Sequence, residues 1–166
     1  MNLYLTGPSG AGKSSAGKLL AESLSRQFID LDLAIEKSIG KSIHEIFAQD
    51  GEQLFRNTEK DLLREYSLKN GVVIAAGGGT VLDESNRTLM RSCGKIMLLM
   101  ASPATLLERV MRGEIRPLLK DGGEKTLRKM LFRRAAVYCD ADAIIDTTSL
   151  TLQEVVMYIK GKFYGN

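Results

Sequence analysis

The chain has 166 residues, 44% of them hydrophobic and 26% charged, as suits one soluble globular domain with a single substantial core. Twenty-three Lys and Arg against 20 Asp and Glu leave a net charge of +3, which suits a local anion site better than a nucleic-acid surface with its usual dense basic stripe. Cys93 and Cys139 are the only two cysteines and form no CxxC pair, so a disulfide framework or zinc site is not expected and a reducing compartment is. No apolar run approaches the ~20 residues of a membrane span. The chain opens straight into a strand pattern without a basic leader, and the expected location is the cytoplasm.

In chain order, residues 2–6 read as a buried strand and 13–25 as an amphipathic helix. A short strand at 28–30 precedes a long helical stretch over 42–69, broken near Asp50-Gly51. Val72-Val73-Ile74-Ala75-Ala76 is the most apolar strand pattern. A helix follows over 83–92, capped by Asp83, and then a strand over 95–100. Ser102-Pro103 has the form of an N-cap followed by proline at the first helical position, opening a helix over 103–112. Further helices are expected over 124–139 and 151–162, with a short strand at 143–146 between them. Five near-continuous apolar strands alternating with helices predict an α/β architecture with a parallel sheet covered on both faces. In such sheets ligands gather at the carboxyl ends of the strands.

The first strand runs into Gly7-Pro8-Ser9-Gly10-Ala11-Gly12-Lys13-Ser14, which matches GxxxxGK[ST] in the strand–helix context that gives this motif its meaning. Its backbone N–H groups, from Gly10 to Ser15, can converge on phosphate oxygens at the positive end of the helix. Lys13 reaches the β- and γ-phosphates, and the Ser14 hydroxyl can join a Mg²⁺ shell. Asp30 and Asp32 close the second strand. In an extended chain they would project from the same face, one to orient a metal shell through water and the other to hold or deprotonate an acceptor hydroxyl. They equally suit a polar strand exit or the N-cap of a helix beginning near Leu33. Arg56 lies in a helical stretch after this pair, where a solvated charge is the ordinary reading. Gly77-Gly78-Gly79 follows the apolar strand, as expected of either a close backbone approach to a ligand or a tight turn. No acid closes that strand, which shifts the metal's outer shell towards Asp30. Arg109, Arg112, Arg116, Arg133 and Arg134 concentrate around a glycine- and proline-bearing loop at 113–123, fitting either a lid that closes on phosphate or an exposed basic loop.

Together these motifs resemble those of the shikimate kinase family over nearly the whole chain. GPSGAGKS, Asp30-Leu31-Asp32, Gly51 to Arg56, Gly77 to Gly79, Arg116 to Leu119 and Arg134 to Tyr138 stand in the family's order, and Ile35 to Phe47 resembles its shikimate-binding region. The resemblance implies a three-layer α/β/α P-loop NTPase fold with a central five-stranded parallel sheet, in one domain over 1–166. It also implies a shikimate-binding segment at about 31–60 and a lid at about 112–124. Lys13, Asp32 and Arg116 would be catalytic. Asp32, Arg56, Arg134 and the backbone of Gly77, Gly78 and Gly79 would bind shikimate. Gly10, Ala11, Gly12, Lys13, Ser14, Ser15, Arg109 and Arg116 would bind ATP, with Arg109 stacked on adenine. Ser14 would ligate Mg²⁺, with Asp30 in its outer shell. The expected partners are shikimate and ATP, without nucleic acid or membrane, acting on a monomer. His44, the single histidine, is expected to be structural or solvated. The P-loop spelling with Pro8 and Ser9 is also similar to guanylate kinases, and a nucleotide-binding regulatory module without turnover is the reading from a different class. Ala136 replaces a proline common in the family.

Overall fold

A computed structural model describes residues 1–112 and 123–165. Five strands, β1 (Asn2–Thr6), β2 (Phe28–Asp30), β3 (Val73–Ala75), β4 (Gly94–Met100) and β5 (Ala143–Asp146), form one sheet in the order β2-β3-β1-β4-β5. Every pairing in it is parallel. The helices are α1 (Lys13–Ser23), α2 (Leu31–Ile39), α3 (Ile43–Glu45), α4 (Glu52–Ser67), α5 (Glu84–Cys93), α6 (Pro103–Met111), α7 (Gly123–Tyr138) and α8 (Leu152–Tyr164). A single π-helical turn, Ile46–Asp50, joins α3 to α4, and a 3₁₀ turn, Thr80–Leu82, precedes α5.

Strand alternation explains the apolar runs. On β1 and β4, Leu3, Leu5, Met97 and Leu99 enter one core with Ala16 and Leu20 of α1, Leu106 of α6, Leu127 of α7 and Ile159 of α8. The intervening Tyr4, Ile96 and Leu98 enter a second core with Ile35 of α2, Phe55 and Leu63 of α4 and Met90 of α5. Both faces are buried, so period-2 alternation has no polar half to reveal it. The expected α/β sheet with helices on both faces is therefore present, and the expected break near Asp50-Gly51 falls at the end of the π-turn, where the Gly51 N–H donates to the Ile46 carbonyl at 2.9 Å.

One element departs from the sequence reading. The chain does not stay extended through Asp32: β2 ends at Asp30 and α2 starts at Leu31 with no intervening loop. Asp30 itself caps that helix, accepting from the backbone N–H groups of Asp32 at 3.1 Å and Leu33 at 3.4 Å. Satisfying those orphan donors outweighs one more residue of strand.

β1 and β4 meet closely at their first residues, where Asn2 pairs with Gly94. A Cβ on Gly94 would lie 2.1 Å from the Asn2 carbonyl oxygen, so only glycine lets these backbones pair. Gly94→Ala is expected to lower stability by about 2 kcal/mol through forced strand separation, read as a shift of the urea unfolding midpoint at constant slope. An unchanged midpoint would show that the strand ends separate at no cost.

Candidate active site

The P-loop leaves β1 at Gly7 and enters α1 at Lys13. Gly7 has φ of 132°, and a Cβ there would stand 2.1 Å from the Leu99 carbonyl oxygen of β4, so the loop lies directly on the strand beside it. Gly12, the residue before α1, is left-handed at φ 90°. Ala11 is buried, and Ser14 and Ser15 are exposed on the first turn of α1. The Lys13 ammonium donates to the Gly7 and Pro8 carbonyls at 2.9 and 3.0 Å, which bends its long side chain back over the loop. Ser14 Oγ donates to Asp30 Oδ2 at 2.5 Å, tying the start of α1 to the end of β2. Asp30 is thus the N-cap of α2, one of the readings its sequence position offered, and it is also hydrogen-bonded to Ser14 of the phosphate loop.

Beside the P-loop, β3 delivers the three glycines, and their lack of side chains has a separate reason at each position. A Cβ on Gly77 would meet Asp32 Oδ1 at 3.2 Å and Thr80 Oγ1 at 3.3 Å. One on Gly78 would meet the Gly7 carbonyl at 2.8 Å and the Tyr138 hydroxyl at 3.0 Å. One on Gly79 would meet Arg56 Nη2 at 2.7 Å. Arg134 Nη1 and the Tyr138 hydroxyl donate to the Gly78 carbonyl at 3.3 and 2.9 Å. One turn of backbone thus touches the P-loop, Asp32, Arg56 and Arg134. Burial pushes the Tyr138 phenol up, with Arg134 beside it opposing that shift.

Arg56 on α4 is half-buried, not a solvated surface charge. Its Nε donates to Glu52 at 3.1 Å, and Nη1 donates to Glu59 at 2.9 Å. Glu59 is only 1% exposed and also accepts from Thr80 Oγ1 at 2.6 Å. Burial pushes its carboxyl up, with Asp32 adding to that shift while Thr80 and Arg56 oppose it. Burial alone would pull the Arg56 guanidinium down, but Glu59 and Glu52 turn the net shift upward. Both shifts are upward: the neighbouring carboxylates favour the charged guanidinium, while desolvation of the nearly inaccessible Glu59 carboxyl is the largest contribution there and favours its neutral form.

Arg109 on α6 donates to the Gly10 carbonyl at 3.4 Å and to Thr147 at 3.0 Å (Oγ1) and 2.8 Å (carbonyl). It bridges the P-loop to the segment after β5. His44 is exposed on α3, in keeping with a solvated role. Arg116 and most of the expected lid lie outside the described residues. Glu59 and Thr80 were not singled out in the sequence. The available signal for the first was its i,i+3 spacing from Arg56 on one helix face.

The family model for shikimate kinase matches residues 9–162. The chain belongs to the shikimate kinase family. A shikimate kinase of Geobacter metallireducens is 40% identical over 166 residues, covering 99% of this chain and 92% of its own. One from Geobacter sulfurreducens is 42% identical over 159 residues, covering 95% of this chain and 88% of its own. Among solved structures, shikimate kinase from Acinetobacter baumannii in complex with shikimate superposes with a TM-score of 0.91 at 35% identity, over 96% of this chain and 90% of that one. A sugar kinase from Janibacter at 16% identity and a TM-score of 0.66 shares the fold alone. Family membership makes the chain an ATP-dependent kinase. No helix among the described residues is long and apolar enough to cross a membrane.

The raised Glu59 carboxyl generates a pH prediction. A carboxyl whose folded pKa lies above its unfolded value stabilises the fold at low pH and loses that contribution as it ionises. The stability of the native chain relative to Glu59→Gln should therefore fall as pH rises from about 4.5, the ordinary glutamate value. Urea titrations of both proteins at several pH values measure this slope. A difference that grows with pH would instead put Glu59 below its ordinary value, held there by Arg56.

Proposed function

We propose that the chain transfers the γ-phosphate of ATP to the 3-hydroxyl of shikimate, giving shikimate 3-phosphate and ADP on the route to aromatic amino acids. The observation that carries this reading is the glycine turn: Gly77, Gly78 and Gly79 gather Asp32, Arg134 and Arg56 around one short stretch of backbone, next to the phosphate loop at Gly7. A small acid bearing several hydroxyls needs that set. Its carboxylate suits the two guanidinium groups, each a planar fork of donors. Its hydroxyls suit Asp32 and the turn's backbone, which carries no side chains of its own.

In this reading Asp32, on the first turn of α2, holds the attacking hydroxyl and takes its proton as the oxygen bonds to phosphorus. Lys13 turns from the loop carbonyls to the β- and γ-phosphates, while backbone N–H groups from Gly10 to Ser15 hold their oxygens. Arg116 and the lid at about 112–124 would close over the leaving phosphate, excluding water. Arg109 and Thr147 border the base side. The Ser14 hydroxyl and Asp30 carboxylate are hard oxygen groups beside the P-loop and fit Mg²⁺, with Ser14 as ligand and Asp30 in the outer shell. When bound with ATP, Mg²⁺ neutralises charge on the phosphates. The substrate segment spans about 31–60 within a single domain, and the enzyme works as a cytoplasmic monomer.

ADP release from MgATP should rise when shikimate is added and stay at background with gluconate or guanosine monophosphate. Release stimulated equally by all three, or by none in protein that binds ATP, would overturn the acceptor. Arg56→Ala should raise the shikimate KM by about 100-fold through loss of a charge-assisted fork, with the ATP KM nearly unchanged. Equal increases for both substrates would remove Arg56 from the acceptor site.

A further inference from the structure

Behind Arg56 runs a line of buried polar groups that the proposed chemistry does not use directly. Glu59 is 1% exposed, Thr80 0% and Asn86 3%. Asn86 on α5 donates through Nδ2 to the Thr80 carbonyl at 3.0 Å. Thr80 donates through Oγ1 to Glu59 Oε1 at 2.6 Å, and Glu59 Oε2 accepts from Arg56 Nη1 at 2.9 Å. We infer that Thr80 and Asn86 are positioning residues for Arg56, fixing its guanidinium against the glycine turn through Glu59. The inference rests on the reading of Arg56 as a ligand of the acceptor's carboxylate.

Three observations carry it. A buried carboxylate with two oxygens can rotate about its last bond, and Thr80 fixes that rotation by engaging Oε1. Oε2 is thereby presented to Arg56. The arginine is then held at Nε by Glu52 and at Nη1 by Glu59, with its guanidinium (Nη2, Nη1 and Cζ alike) lying against Gly79. Orientation of a planar fork depends on both bonds, because either one alone permits the plane to swing.

Asn86 supplies the third observation. Its Oδ1 is buried without a hydrogen-bond partner among the described residues. Such an atom carries a desolvation penalty that an apolar side chain of similar size would avoid. Asparagine is nonetheless present, and its one donated bond satisfies and fixes the carbonyl of the residue that orients Glu59. Neighbouring Arg87 donates to the Val81 carbonyl at 2.6 Å and the Leu82 carbonyl at 3.2 Å, so α5 grips the whole 3₁₀ turn that carries Thr80.

The test compares Thr80→Val, which keeps the shape and removes the donor, with Thr80→Ser, which keeps the donor. In ¹⁵N-labelled protein without substrate, the Nε–Hε cross-peak of Arg56, assigned by its loss in Arg56→Lys, should move in Thr80→Val and return in Thr80→Ser. In parallel, Thr80→Val should raise the shikimate KM about tenfold, the loss of one hydrogen bond to a charged group, while kcat and the ATP KM stay within about twofold. Asn86→Leu should displace the same cross-peak in the same direction. A cross-peak unmoved in Thr80→Val, or displaced equally in Thr80→Ser, overturns the inference. A displaced cross-peak with no selective change in the shikimate KM upholds the positioning of Arg56 and removes Arg56 from the acceptor site.

Discussion

The parallel register of β1 and β3 is the constraint on which the site depends. Leu5 lies opposite Ala75, and the Ala76 N–H donates to the Leu5 carbonyl at 2.9 Å, so both chains leave the sheet at the same level and on the same edge. An antiparallel pair would send the two exits to opposite ends. Here the phosphate loop and the glycine turn emerge side by side, close enough for Gly78 to lie against the Gly7 carbonyl. β2 pairs with β3 in the same sense and brings Asp30 to that edge as well. The sheet thus assembles three functional segments that are far apart in sequence without any long loop to carry them. The cores on its two faces, each filled by alternate residues of the same strands, hold the register fixed.

On this platform the charges are divided between two sides. In the proposed reading, Lys13 and the loop backbone would hold one anion with the first turn of α1, while Arg56 and Arg134 would hold another around the glycine turn. Burying Glu59 behind Arg56 carries a desolvation cost that its two hydrogen-bond donors offset only in part, which is the physical meaning of its raised carboxyl. What that cost secures is direction: a lone arginine on an exposed helix samples many rotamers, whereas one pinned at Nε and Nη1 presents a fixed edge.

The sheet, most helices and the phosphate loop were legible in the sequence because apolar runs, a glycine-lysine motif and a Ser-Pro cap are local signals. The direct passage from β2 into α2 was not, since the apolar spacing around Asp30 to Asp32 serves either conformation and the choice rests on backbone donors that Asp30 satisfies. Asp32, Arg56, Gly77 to Gly79 and Arg134 were named through family resemblance, while their residue types alone left surface and turn readings open. Glu59 and Thr80 escaped notice for a different reason. A glutamate on an amphipathic helix and a threonine after a turn carry no signal of burial, and only the tertiary packing of α4 against the 3₁₀ turn brings them together.

The glycine turn has a consequence for the genetics of this chain. Because each of its three residues abuts a different neighbour, adjacent codons govern separable properties. A methyl group at position 77 crowds Asp32, at position 78 it crowds the phosphate loop and Tyr138, and at position 79 it crowds the Arg56 guanidinium. Lesions in nine consecutive nucleotides would therefore fall into three phenotypic classes, and a suppressor of one class would not rescue its neighbours.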